Sequence, residues 1–228
     1  MTPFANRWCV AVLLSGAVFF FSTSSLARQS ARVTVVVHVY NNAKISPSVL
    51  AETGSYVRKT FDRIGVGIIW VDEMSRLHAA NTTPSIENAW SESSTAHVSI
   101  AVVSQGERMD SRLKKEGMAM GRTPGGQTAR SYVFSDRVEA FVLKYVSRVS
   151  ALRVPRVLAY AIEHELGHLL IPSLAHAHSE RGIMKAQLGA GDLAPLFLDG
   201  TGFSAKEGEL MTDEIQRRIN IQAQATDR

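Results

Sequence analysis

The most constraining stretch of the sequence is a predicted helix from Pro155 to Leu170 that carries His164, Glu165 and His168. It is apolar on more than one face, as expected for a helix buried in a core. Two histidines four residues apart share a helical face, with Cβ atoms about 5–6 Å apart. Both imidazoles can therefore reach one ion at about 2.0–2.1 Å. Glu165 is the next residue round the helix and can act as a base on metal-bound water. This H-E-x-x-H pattern predicts a catalytic zinc site.

Residues 1–27 have the pattern of a signal peptide. Arg7 supplies a positive charge, residues 8–21 are mostly apolar, and Ser25-Leu26-Ala27 fits a small-x-small cleavage site. The apolar core has about fourteen residues, fewer than the roughly twenty that span a bilayer. We expect an exported protein, periplasmic or secreted, with no stable membrane insertion after cleavage. An uncleaved N-terminal anchor is the alternative.

Composition narrows the classes of partner and of metal site. The one cysteine, Cys9, lies in the leader, so the mature chain is predicted to have no disulfide and no cysteine-ligated zinc. Removing Arg7 lowers the net charge from +4 to +3, and the basic residues are scattered, so nucleic-acid binding is not predicted. Residues 28–228 are long enough for one domain. We divide it into an N-terminal lobe, 28–171, and a small C-terminal lobe, 172–228.

The order of strand and helix patterns predicts an α/β (α+β) fold with an active-site helix and a small loop-plus-helix C-terminal lobe. The predicted strands are 32–40, 66–71, 97–103, 117–121 and 131–134, and the predicted helices are 47–64, 136–145, 155–170 and 205–220. Residues 72–96 are expected to be irregular. The segment Gly117–Gly121 is short and bounded by glycine, which is typical of an edge strand. Ser204 and Glu207 form a capping-box pattern before the last helix.

Two histidines after the motif helix, His176 and His178, are candidates for a third zinc ligand, since a catalytic zinc usually has three protein ligands and one open position. The run from 164 to 184 reads HELGHLL, then AHS, then GIM. In these motifs the chain resembles the metzincin clan of zinc endopeptidases, and most closely its matrixin-like branch of small exported bacterial members.

This resemblance implies a mixed, mostly parallel twisted sheet. It also implies a metalloendopeptidase that acts on protein or peptide substrates. It implies that His164, His168 and His178 bind zinc, that Glu165 is the general base and that Met184 lies in a tight turn beneath the metal. His176 is the alternative third ligand. The resemblance also implies that an edge strand binds extended substrate, and Gly117–Gly121 is the candidate for that strand. The sequence departs from the clan pattern at Ile171 and Leu174, where a glycine and the third histidine usually stand.

Two other interpretations remain open from the sequence. In a gluzincin-like peptidase the third ligand would be a glutamate on a later helix, either Glu207 or Glu209. The chain could also be a secreted zinc-binding or structural protein without catalysis. Among the other polar residues, Glu163 is expected to face solvent or cap a neighbour. His38 and His97 are expected to be hydrogen-bonded core or edge histidines rather than metal ligands. The sequence does not indicate an oligomeric state.

Overall fold

A computed structural model describes residues 32–80, 95–104, 121–122, 130–145, 153–171, 182–185 and 202–226. The predicted signal peptide lies outside these residues. The described strands are β1 (Thr34–Asn41), β2 (Gly67–Asp72), β3 (Thr95–Val103), β4 (Gly121–Arg122) and β5 (Arg130–Phe134). The described helices are α1 (Pro47–Asp62), α2 (Glu73–Ala80), α3 (Ser135–Tyr145), α4 (Val154–Leu170) and α5 (Ala205–Thr226).

The five described strands form one sheet in the order β2-β1-β3-β5-β4. The first four run parallel, and β4 pairs antiparallel with β5 at one edge, with Gly121 opposite Val133. The predicted α/β class with a mostly parallel sheet is therefore confirmed. The predicted edge strand 117–121 reaches the described residues only at Gly121, which does lie in the edge strand β4. Residues 117–120 lie outside them.

The hydrophobic core is formed by the sheet and four helices, α1, α3, α4 and α5. Alternate residues of β1 and β3 point into it because side chains alternate across a strand. Helix α1 begins at Ser46, whose hydroxyl accepts a hydrogen bond from the amide of Val49, and proline fills its first position. The Thr53 hydroxyl donates to the Val49 carbonyl of its own helix at 2.8 Å and also lies 3.3 Å from the backbone carbonyl of Pro155, a contact between α1 and the start of α4.

The prediction of an irregular segment at 72–96 is wrong over residues 73–80, which form α2. It is also wrong at both ends, where Asp72 belongs to β2 and residues 95–96 belong to β3. The Asp72 carboxylate starts this helix, since it accepts hydrogen bonds from the amides of Met74 and Ser75 at 3.1 and 3.4 Å. This helix was not predicted because its large apolar side chains do not face the core. The side chains of Met74 and Leu77 are 40% and 61% exposed. The segment therefore lacks a clear apolar stripe facing the core. Residues 81–94 lie outside the described part.

The last helix, α5, packs into the same core through Met211, Ile215 and Ile219, which follow each other at four-residue spacing. Its predicted capping box is confirmed. The Glu207 carboxylate accepts from the Ser204 amide at 2.6 Å, and the Ser204 hydroxyl accepts from the Glu207 amide at 3.2 Å. Of the helices that the structure describes, none combines the length and the apolar character needed to cross a bilayer.

Candidate metal centre

His164 and His168 converge on one point beside α4. Their Nε2 atoms are 3.2 Å apart, and their rings meet at 83° with centroids separated by 4.8 Å. Two nitrogens held about 2.0–2.1 Å from a tetrahedral zinc would be roughly 3.3–3.4 Å apart. The observed separation fits that geometry without movement of the helix. The pair can therefore supply two adjacent positions of a zinc coordination shell.

The orientation of the His164 ring is fixed from its far side. Its Nδ1 lies 2.7 Å from the backbone carbonyl oxygen of Ile183, which can only accept a hydrogen bond. Nδ1 must therefore carry the hydrogen of the neutral ring, which leaves a lone pair on Nε2. The Tyr160 hydroxyl donates to the same carbonyl at 3.1 Å. This is the support that metal-binding histidines usually receive from a backbone carbonyl.

Met184 lies in a turn directly under the motif helix. Gly182 adopts φ +86°, a left-handed conformation that favours glycine, and the Lys185 amide donates to the Gly182 carbonyl at 3.4 Å to close the turn. Met184 is 2% exposed and lies against Gly167, between the two histidines in sequence. A Cβ atom at residue 167 would overlap Met184 Sδ and lie 3.0 Å from its Cε. Gly167 therefore serves close packing of the helix on the turn.

The Glu165 side chain points toward the edge strand of the sheet. It is 3% exposed, and a Cβ atom on Gly121 would lie only 2.5 Å from Glu165 Oε1. The glycine at this position of β4 thus leaves room for the carboxylate between α4 and the strand. Glu165 therefore lies next to Gly121, the last residue of the segment 117–121 that is predicted to bind extended substrate. No sequence pattern predicts this contact.

Glu163 was expected to face solvent or cap a neighbour, and solvent exposure is wrong: its side chain is buried on the side of α4 that faces α1. Burial raises its pKa to about 8. A hydrogen bond with Thr60 and the charges of Arg156 and Arg63 oppose that rise to a smaller extent. Solvent exposure was predicted for Glu163 because glutamate is seldom buried in proteins. The apolar residues on more than one face of the predicted helix 155–170 were the signal that could have indicated its burial.

The structure does not describe the two histidines that are predicted as the third zinc ligand. His176 and His178 both lie outside the described residues, so each stays a prediction. Within the described ranges, no group of three or more His, Cys, Asp or Glu side chains is arranged to hold a metal. Those ranges include Glu207 and Glu209, so neither glutamate completes the histidine pair. Glu207 instead serves the cap of α5, and Glu209 is exposed.

A second histidine pair lies on the sheet, away from α4. His38 Nε2 is 3.0 Å from His97 Nδ1, His38 Nδ1 is 2.6 Å from a Glu73 carboxylate oxygen, and His97 Nε2 is 3.3 Å from the Thr95 hydroxyl. Burial, and secondarily the neighbouring charge of His38, lowers the pKa of His97. Both histidines are thus hydrogen-bonded as expected, and these contacts join α2 to β1 and β3.

Two contacts of the site were not predicted: the hydrogen bond from Tyr160 to the Ile183 carbonyl and the close approach of Gly121 to Glu165. Tyr160 precedes His164 by four residues, as His164 precedes His168, so helical spacing could have placed it on the ligand face. Gly121 carried no such signal, because its contact with Glu165 joins residues 44 positions apart.

No protein-family model matches the chain, and no curated protein matches it. Among solved structures, the chain is similar to "Archaemetzincin (amzA)" from Methanopyrus kandleri, with a TM-score of 0.43 and 14% sequence identity. The match covers 83% of this chain and 98% of the other. A likeness at this level does not assign an activity to this chain.

Proposed function

We propose that the protein is a zinc-dependent endopeptidase in which His164, His168 and His178 bind the metal and Glu165 is the general base. The observation that carries the proposal is the 3.2 Å separation of the two Nε2 atoms, with His164 Nδ1 committed to the Ile183 carbonyl. A carboxylate next to such a pair favours catalysis over a purely structural site, which has no need of it. His176 remains the alternative third ligand.

Zinc, when bound, would lower the pKa of a coordinated water toward about 7 and polarise the substrate carbonyl. The chain's own residues supply the remaining chemistry. Glu165 accepts the proton of the attacking water on a carboxylate oxygen and then donates it to the leaving amine. We infer that the edge strand β4, beside that carboxylate, pairs with an extended peptide through its backbone. The proposed substrates are proteins or peptides.

The first test is metal binding by single variants of the purified protein. We expect one zinc per chain in the wild type, and its loss in His178→Ala. His176→Ala is the matched control, two residues away, and it should keep the metal. The opposite result for these two variants would make His176 the ligand. Glu207→Ala losing zinc would instead support a gluzincin-like site, against the described geometry.

The second test is cleavage of a denatured protein mixture. The wild type should cleave and be inhibited by a chelator, and Glu165→Gln should keep zinc but lose turnover. Glu209→Gln, which alters an exposed carboxylate on α5, is the control and should cleave like the wild type. A wild type that binds zinc but cleaves nothing would indicate a non-catalytic zinc protein. A Glu165→Gln variant that cleaves as fast as the wild type would remove Glu165 from the proposed role.

Membership of the matrixin-like branch and export are further parts of this proposal. The first is supported by the order HELGH, AHS and GIM in residues 164–184. The second is supported by the leader pattern of residues 1–27. Amino-terminal sequencing of the protein recovered from the cell exterior or periplasm tests export, with a new N-terminus near Arg28 as the expected result.

A further inference from the structure

The metal helix α4 ends without the usual glycine cap. Its C-cap, Ile171, has φ −129° and ψ 75°, and the next residue is Pro172. Many helices end with the residue after the C-cap in a left-handed conformation, donating its amide to the carbonyl two positions before the C-cap. Proline has its φ fixed near −65° and has no amide hydrogen. Neither part of that cap is therefore chemically possible here.

The carbonyl that such a cap would satisfy belongs to Leu169, and a side chain from another helix reaches it. Arg218 of α5 donates through its Nη2 group to the Leu169 oxygen at 2.6 Å. The same guanidinium is held by Glu214, whose carboxylate accepts from Arg218 Nε at 2.7 Å. A cation at this end of a helix also matches the negative pole of the helix dipole. Arg218 thus supplies the donor that Pro172 lacks.

We propose that Arg218 is a positioning residue for the metal site, which it affects by capping α4 from α5. The capped carbonyl follows His168 directly in the chain, and the two candidates for the third ligand come within ten residues of it. Holding this last turn fixes the backbone that carries His168. The inference rests on the proposed zinc site for its functional consequence, and its structural part stands independently.

Arg217 provides a matched control within the same cluster. It makes two hydrogen bonds to Glu214, at 2.7 and 2.8 Å, and its side chain is 52% exposed against 21% for Arg218. These bonds stay within α5, whereas Arg218 also reaches α4. Replacing either arginine by methionine removes one charge and keeps most of the aliphatic stem. The two variants therefore differ chiefly in the contact with Leu169.

The first measurement is zinc affinity, by competition with a chelator, in the purified wild type and variants. Arg218→Met should bind zinc about tenfold more weakly, in the range found when the supports of metal ligands are removed. Arg217→Met should match the wild type. Arg218→Lys should recover part of the affinity, because an ammonium retains the charge and a donor. The visible spectrum of the cobalt-substituted protein should change in Arg218→Met only.

The second measurement uses metal-free protein and asks about the cap alone. The amide of Ile171 donates to the Gly167 carbonyl at 2.8 Å in the last turn, so its hydrogen exchange reports the opening of that turn. We expect faster exchange in Arg218→Met and unchanged exchange in Arg217→Met. If Arg218→Met does not fold, Arg218→Lys and Glu214→Gln carry the comparison.

Equal exchange and equal zinc affinity in the wild type and the Arg218 variants would overturn the inference. A wild type that binds no zinc would overturn the proposed function, while the exchange experiment would still decide whether Arg218 caps the helix. Faster exchange with unchanged zinc affinity and an unchanged cobalt spectrum would reduce Arg218 to a structural cap and overturn its positioning role.

Discussion

The close contact between Gly167 and Met184 predicts a strong coupling between substitutions at the two positions. A Cβ atom at residue 167 would overlap Met184 Sδ and lie 3.3 Å from Phe203 Cε1, and both neighbours are buried. Overpacking of this kind costs roughly 1–3 kcal/mol. Alanine is favoured over glycine inside a helix by roughly 1 kcal/mol. Gly167→Ala should therefore destabilise the protein by roughly 0–2 kcal/mol in net terms.

Met184→Ala should lower the free energy of unfolding by roughly 2–5 kcal/mol, because Met184 is fully buried and its loss leaves a cavity. In the double variant the new methyl group at residue 167 occupies part of that cavity, and the overlap disappears. The loss in the double variant should therefore be smaller than the sum of the two single losses, by roughly 1–3 kcal/mol.

Urea unfolding of the metal-free protein measures these free energies by linear extrapolation. A control cycle combines Gly167→Ala with Leu50→Ala. Leu50 lies eleven residues before Phe61 on α1, roughly 16 Å along the helix, and Phe61 contacts Phe203 beside residue 167. This control cycle should be additive. Additivity within roughly 0.5 kcal/mol for the Gly167 and Met184 cycle as well would refute the packing of the turn under α4.

Two further predictions concern the carboxylates of α4. Gly121→Ala places a Cβ atom 2.5 Å from Glu165 Oε1, so it should retain zinc but lower turnover by about a hundredfold through misplacement of the base. Steady-state kinetics beside zinc analysis checks this, and unchanged turnover would contradict it. The pKa of Glu163 is raised by burial to about 8, so the folded protein binds more protons than the unfolded chain between pH 4.5 and 8. Its contribution to stability is therefore lost as pH rises through that window, by roughly 3–4 kcal/mol between pH 5 and 8. Unfolding of the metal-free protein should show this slope, and Glu163→Gln should remove it; an unchanged slope would contradict the buried carboxyl.

Local patterns in the sequence were sufficient for most of the fold. Alternating and β-branched runs placed β1, β2, β3 and β5, because these strands lie in a sheet whose inner side chains form the core. The Ser46-Pro47 start of α1 and the capping box before α5 predicted both helix beginnings. Helix α2 was not predicted from the sequence. Its start depends on the Asp72 carboxylate, and its apolar residues Met74 and Leu77 are exposed, so they form no stripe that faces the core.

The site was predictable where it depends on helical spacing and not where it depends on tertiary contacts. The convergence of His164 and His168 follows from positions four apart on one helix. The Ile183 carbonyl that orients His164 and the Arg218 cap on Leu169 join distant parts of the chain, 19 and 49 residues apart. The buried state of Glu163 likewise depends on α1 packing against the back of α4. No local pattern identifies these distant partners, although the apolar faces of the 155–170 helix indicate that it is buried.

Metal analysis of the purified wild-type protein and of a His164→Ala/His168→Ala double variant tests the central claim most directly. Both proteins are first shown to be folded by circular dichroism and then equilibrated with zinc. The convergence of the two imidazoles predicts one tightly bound zinc per wild-type chain and none in the double variant. A folded wild type that remains metal-free, or a double variant that retains its zinc, would contradict the account.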